Sequence, residues 1–460
     1  MRNSPESILP IDREILRLAL PSILANLTVP LVGMVDIAVA GHLDSSAAAL
    51  IGGVSIGSLM FDVLYWNFGF LRTGTGGMTS QAYGRKDWGD CARNLIRGLG
   101  ASVSIAILML LLQWPFQKLF FSFVDCSNDV MSLALRYFRI RILCAPATLS
   151  LMVIRGWFIG MQDTVSSMVT DIFVNGLNIA ASIFLALGLP SIGLHGLGFS
   201  GVAVGTVVAQ YSGLVLGLAI VAFRYSERFR GAFTATSLRD AFDRRGMKQF
   251  ISVNSDLFVR SLCLIAVYLG FSAISARFGD VLLAVCSIMM KLLMIFSFFS
   301  DGFAYAGEAL TGRFIGARDA AGVNITVRRS FLWCMGTGLL FVAIYAFAGM
   351  PMFRLMTEDA VVVDASRAFM PWLALIPLVG CPAFMWDGIY IGATATRAMR
   401  DSNIGCVVSF FATWFIGSLL LHPQGNMSVH LLFAAYYAHL IFRSGYQTVK
   451  YRSAVLRQIS

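Results

Sequence analysis

The chain is built of long apolar blocks separated by short polar segments. Ala101–Leu112 and Cys406–Leu421 carry no charge at all. A membrane-spanning helix needs about 20 mostly apolar residues, and twelve such blocks can be drawn. They cover 14–40, 48–74, 94–120, 130–158, 165–188, 198–223, 249–275, 281–305, 326–349, 361–391, 402–421 and 426–446. The pattern predicts an all-α integral membrane protein with twelve transmembrane helices. Asp12 is the expected N-cap of the first.

Polar segments between blocks alternate in charge. Lys and Arg gather after block 2 (Arg85, Lys86, Arg93, Arg97), after block 6 (Arg224 through Lys248) and after block 8 (Arg313, Arg318, Arg328, Arg329). They recur after block 10 (Arg397, Arg400) and in the tail (Arg443, Lys450, Arg452, Arg457). The intervening loops, such as GHLDSS and HPQGNM, are nearly free of them. Basic residues mark the cytoplasmic side, so both termini are expected there, in a bacterial inner membrane. Arg136, Arg139 and Arg141 open block 4 from the other side, where they are expected to meet lipid phosphates.

The chain also repeats itself. Gly84, Asp87 and Arg97 recur 232 positions later as Gly316, Asp319 and Arg329, and Gly156 and Gly160 recur as Gly388 and Gly392. An even number of spans in the first half makes the two repeats parallel, as in transporters that work by alternating access. The expected division is an N-lobe over 1–225, a cytoplasmic linker over 226–248 with a short amphipathic helix at SLRDAFDRRG, and a C-lobe over 249–460.

Composition agrees: 57% of residues are hydrophobic and 13% charged, against roughly 25% charged in soluble domains. The net charge of +10 follows from the loop bias and does not imply nucleic acid. Eight scattered cysteines form no CxxC pair, so neither a disulfide nor a structural zinc is expected. There is no P-loop. The GxSxG at Gly53, Ser55 and Gly57 and the GxGxxG at Gly196, Gly198 and Gly201 lack the strand–turn–helix setting their chemistry needs. No cofactor and no enzymatic activity are expected.

TVPLVGMVDIAVAGHLDS in block 1, GMTSQAYGRKD after block 2, GWFIGMQDT after block 4, DGFAYAGEALTG in block 8, GARD after it and WDGIYIGAT in block 10 together resemble the multidrug and toxic compound extrusion (MATE) transporters, DinF branch. The resemblance spans nearly the whole chain. It implies two six-helix lobes around a central cavity. It also implies export of amphipathic, mainly cationic organic compounds in exchange for H⁺ or Na⁺. A lipid or lipid-linked precursor flippase of the same superfamily is the alternative. A monomer in contact with membrane lipids suffices for such a mechanism.

An acid inside the membrane is costly and marks function by default. Asp36, late in block 1, matches the acid of the DinF branch. Pro21 and Pro30 in the same block remove backbone hydrogen bonds and are candidate kink points. Block 5 departs from the family: in FVNGLNIAAS, Asn178 matches the expected asparagine but Ser182 replaces the aspartate. Asn175 adds a polar group, and Asp62 in block 2 is a candidate second acid. Asp171 is expected near the headgroups.

The second half holds Asn254, Asp256, Arg260, Asp301, Glu308 and Asp387. Asp256 and Arg260 are spaced to pair on one helix face. Asp301 and Glu308 are two turns apart. Such oxygen-rich sets suit Na⁺ or protons. Lys291, midway along block 8, is outside the family pattern and is expected to face the cavity and pair with a C-lobe acid such as Asp256.

Overall fold

The computed structural model describes residues 5–43, 47–189, 194–227, 229 and 240–459. Nearly all of them are helical. A two-residue strand pair, Gly188–Leu189 with Leu194–His195, closes one loop in antiparallel register.

Fifteen helices follow one another among the described residues: α1 (Pro5–Gly41), α2 (Ala47–Trp66), α3 (Phe70–Gly84), α4 (Trp88–Phe121), α5 (Asn128–Arg141), α6 (Ala145–Gly160), α7 (Thr164–Leu187), α8 (Phe199–Arg224), α9 (Arg244–Ser275), α10 (Asp280–Gly316), α11 (Ala320–Met356), α12 (Ala360–Ser366), α13 (Met370–Gly392), α14 (Thr396–Leu421) and α15 (Asn426–Ala454). The pairs α2–α3, α5–α6 and α12–α13 each run on as one span through a short turn.

Eleven of these segments are long and apolar enough to cross a membrane. α15 is the twelfth helix of the expected set and has 29 residues. It falls short in apolarity because it carries His430, His439, Arg443 and Gln447, and the last three are buried.

Helices outrun their apolar blocks. The second span continues to Gly84 and the eighth to Gly316, where the sequence pattern ended them at 74 and 305. Small polar side chains continue the buried face: Thr73, Thr75, Thr79 and Ser80 in α3 are all buried. The helices end where Lys86 (φ 59°) and Arg318 (φ 57°) turn left-handed. Asp87 and Asp319 then cap the next helices, each accepting a backbone N–H at 2.8 Å.

The chain forms two compact units. One comprises Leu24–Thr79 with Asp87–Phe250; the other comprises Ile251–Ser460 with Met1–Ile23 and Ser80–Lys86. The second unit thus takes in the start of α1 and the end of α3, where the sequence pattern placed both in the N-lobe. Ion pairs give the physical reason. Arg313 binds Glu14. Arg329 binds Asp12, with Nε donating to Oδ1 at 2.7 Å, and Trp333 Nε1 donates to the same oxygen at 2.9 Å. Asp12 is therefore no N-cap: α1 starts at Pro5 and Asp12 works from inside the helix. Of the expected linker helix, 237–246, residues 237–239 lie outside the described residues, and the last three, Arg244 to Gly246, already belong to α9. Between them, Asp243 binds Arg97 Nη2 at 2.7 Å.

The repeated glycines mark close helix approach. A Cβ on Gly84 would run into the Arg313 carbonyl, and one on Gly316 into that of Gln81. Gly156 meets the Arg72 carbonyl, and Gly388 meets that of Ala304. The last two contacts are the same contact in the two halves, 232 residues apart.

Candidate ion-coupling site

In the first unit, Asp36 on α1 is 3% exposed. Tyr137 Oη on α5 donates to its Oδ2 at 3.4 Å. Arg141, one turn later on the same face, donates through Nη1 to Tyr137 Oη at 3.0 Å and to Ser58 Oγ at 3.5 Å. Its guanidinium lies 4.8 Å from the centre of the Phe61 ring, a favourable cation–π position. Gly57 makes room for Tyr137, since a Cβ there would come within 2.6 Å of the ring. Asp36 Oδ1 is buried and meets no hydrogen-bond donor of good geometry among the described residues, although Ser182 and Arg141 stand close to the carboxylate.

α7 supplies a second polar line. Ser182 Oγ donates to Asn178 Oδ1 at 3.2 Å, and Asn178 Nδ2 donates to Thr206 Oγ1 of α8 at 3.2 Å. Asn175 Nδ2 donates to Thr28 Oγ1 of α1 at 2.6 Å. Thr28 lies two residues before Pro30, and α1 is helical through both Pro21 and Pro30. Ser182 thus stands between Asn178 and the Asp36 carboxylate. Asp62 is exposed on α2.

One residue departs from the sequence reading here. Arg141 turns inward toward Tyr137 and Ser58, where lipid phosphate contact was expected. Its i, i+4 spacing from Tyr137 was the available signal. Asp171 pairs with Arg155, so its partner comes from α6. Arg155 escaped notice because it stands beside the repeated Gly156.

In the second unit the pairing differs from that expected. Asp256 does not pair with Arg260. Arg400 Nη1 of α14 binds Asp256 Oδ1 at 2.7 Å, and Thr396 Oγ1 donates to Oδ2 at 3.0 Å. Arg260 instead binds Asp387. Arg443, grouped by sequence with the basic tail, is 3% exposed and reaches the same carboxylate. The reason is reach: α13 packs against α15, which brings Arg443 to Asp387, while Arg260 reaches it from α9. Lys291 is exposed and makes no ion pair among the described residues. Glu308 and Asn254 are buried, and Asp301 is half-buried with Arg443 nearby.

Buried acids and arginines, held on helices long enough to span a bilayer in a chain that repeats its own turns, define a multi-pass membrane carrier. The chain matches the MatE family over residues 21–184 and again over 257–420, and it belongs to that family. It is 34% identical over 427 residues to DNA damage-inducible protein F of Escherichia coli (strain K12), covering 93% of this chain and 90% of that protein. It is 24% identical over 415 residues to the probable multidrug resistance protein NorM of Photorhabdus laumondii subsp. laumondii, covering 88% and 86% respectively. The fold resembles a MATE crystal structure in the bent conformation, with TM-score 0.82, 15% identity and 99% of each chain covered. It also resembles the Vibrio cholerae MATE transporter VcmN in the bent form, with TM-score 0.81, 14% identity, and 98% and 99% covered. The protein is a transporter and not an enzyme.

Proposed function

We propose that this transporter exports amphipathic, mainly cationic organic compounds from a bacterial cell in exchange for protons, by alternating access, with Asp36 as the group that exchanges. Both termini face the cytoplasm, as the distribution of Lys and Arg indicates, and a monomer is the working unit.

The observation that carries this reading is the incomplete solvation of Asp36. A buried ionised carboxylate needs several donors; Asp36 accepts from Tyr137 at 3.4 Å, and its Oδ1 meets no donor of good geometry among the described residues. Its ionised form therefore gains from a cationic guest, and its neutral form is tolerated without one. Competition between a proton and an organic cation for one carboxylate is sufficient chemistry for antiport. The name of the NorM relative, a probable multidrug resistance protein, supports the substrate class.

Ethidium efflux from proteoliposomes tests the reading, with a pH gradient and a Na⁺ gradient imposed separately. A pH gradient is expected to drive efflux in wild type and to fail in Asp36→Asn. Efflux surviving in Asp36→Asn would remove Asp36 from the mechanism.

A further inference from the structure

Asp387 is one of the acids whose oxygen-rich surroundings suit a hard cation. Its donors say otherwise. Oδ1 accepts from Arg443 Nε at 3.0 Å and from Gln447 Nε2 at 3.4 Å. Oδ2 is ion-paired with Arg260 and with Arg443. A carboxylate offers about four acceptor positions, and these four contacts take them up. Both Asp387 and Arg443 are nearly inaccessible, at 6% and 3% exposure. The guanidinium fork of Arg443 binds in the two-pronged geometry that planar carboxylates favour.

Asp256 is engaged in the same way, by Arg400 and Thr396. Asp36 in the first unit accepts from Tyr137 at 3.4 Å, and its Oδ1 meets no donor of good geometry among the described residues.

The repeat sharpens the contrast. Asp387 stands 232 positions after Arg155, in WDGIYIG against IRGWFIG. Arg155 pairs with Asp171. Each half thus places one member of an ion pair at the same position, with the sign reversed. The position behaves as an internal lock in both halves.

We propose that Arg260 and Arg443 are resident cations of the second unit: they occupy the Asp387 carboxylate that would otherwise take a coupling ion, so no sodium ion binds there. A sodium ion would have to displace a forked guanidinium and leave it buried without its partner, which is strongly unfavourable. The proposal rests on the proton-exchange reading of Asp36, but it makes a separate statement about sodium.

The test uses the purified full-length protein. Melting temperature is compared in NaCl and in choline chloride at equal ionic strength, because an ion that binds only the folded state raises it. Wild type is expected to melt alike in both salts. Arg443→Gln, which frees Asp387 oxygens, is expected to melt higher in NaCl. If Arg443→Gln does not fold, Asp387→Asn/Arg443→Gln removes both charges and keeps the question open to measurement. Its pH-driven ethidium efflux in proteoliposomes is expected to stay within about twofold of wild type, because Asp387 carries no coupling ion, although Arg260 loses one of its contacts.

Two results would overturn the proposal. One is a sodium-dependent rise in wild type that disappears in the double variant. The other is a well-folded double variant whose pH-driven efflux drops about tenfold or more, the loss expected of a group that couples transport. Efflux that survives Asp36→Asn would instead count against the proton reading, and it leaves the sodium comparison intact.

Discussion

Arg97 and Arg329 lie 232 residues apart, and each holds an aspartate at or near the start of the helix that opens the other half of the sequence. Arg97 binds Asp243, just before α9, and its Nε donates to the Ala241 carbonyl. Arg329 binds Asp12 in α1. The two aspartates are themselves 231 positions apart. Each half is thus tied through one arginine to the entrance of the other, which explains why Met1–Ile23 groups with the second unit.

The tie at Asp12 is expected to be measurable. Arg329→Gln removes a forked contact to a mostly buried carboxylate and should cost about 2 kcal/mol, the range for hydrogen bonds between charged groups. Asp12→Asn/Arg329→Gln should recover part of that loss. A double-mutant cycle on melting in detergent should give a coupling of about 1–3 kcal/mol. Strictly additive losses would mean that the pair contributes nothing jointly.

Tyr137 both donates to Asp36 and accepts from Arg141. Tyr137→Phe keeps the ring that packs on Gly57 and deletes only the hydroxyl. Folding is expected to survive, while pH-driven ethidium efflux falls about tenfold, the equivalent of one hydrogen bond to a charged group at roughly 1.4 kcal/mol. Unchanged efflux would show that the phenol is only a packing element.

Asp243 gives a pH signature outside the membrane. The Gly246 backbone N–H, followed by the Arg97 charge, holds its carboxyl below the usual value of 3.8. A folded-state value below the unfolded one stabilises the protein above the unfolded value, and that stabilisation is lost as pH falls through the folded one. Wild type should therefore exceed Asp243→Asn in stability at neutral pH. The gap should close as the pH drops below about 3.8. Thermal melts of the two proteins across this range would check it; a gap constant with pH would mean that the charge is irrelevant.

Gly156 and Gly388 allow no side chain. Gly156→Ala or Gly388→Ala pushes a Cβ onto a backbone carbonyl that cannot swing away. Each should lower stability by about 1–3 kcal/mol, the usual cost of overpacking. Gly176→Ala is a control, because a Cβ there meets nothing within 4 Å. Equal melting of all three variants would sink the close-approach account.

Much of the fold was legible in the chain because hydrocarbon imposes one rule on every span: the backbone must satisfy itself, so apolar blocks become helices. Repeated glycines could be seen in the sequence, though not the carbonyls they face. Asp36 and Asn178 stood out as polar residues in apolar surroundings. Ion-pair partners were harder to read. Asp256 and Arg260 share a helix face by spacing, yet each found a closer partner on another helix. Arg443 read as part of a basic tail although it stands within the last apolar block, 426–446; in the fold the helix runs on to Ala454 and Arg443 is buried.

The sequence by itself determined the helical spans, the duplication, the family and the choice of Asp36 as a candidate, because each depends on residue type at local or periodic positions. Only the tertiary structure decided which acid meets which arginine. Pairing depends on side chains brought together from helices more than a hundred residues apart, as Arg260 and Asp387 are, and no local pattern records that distance.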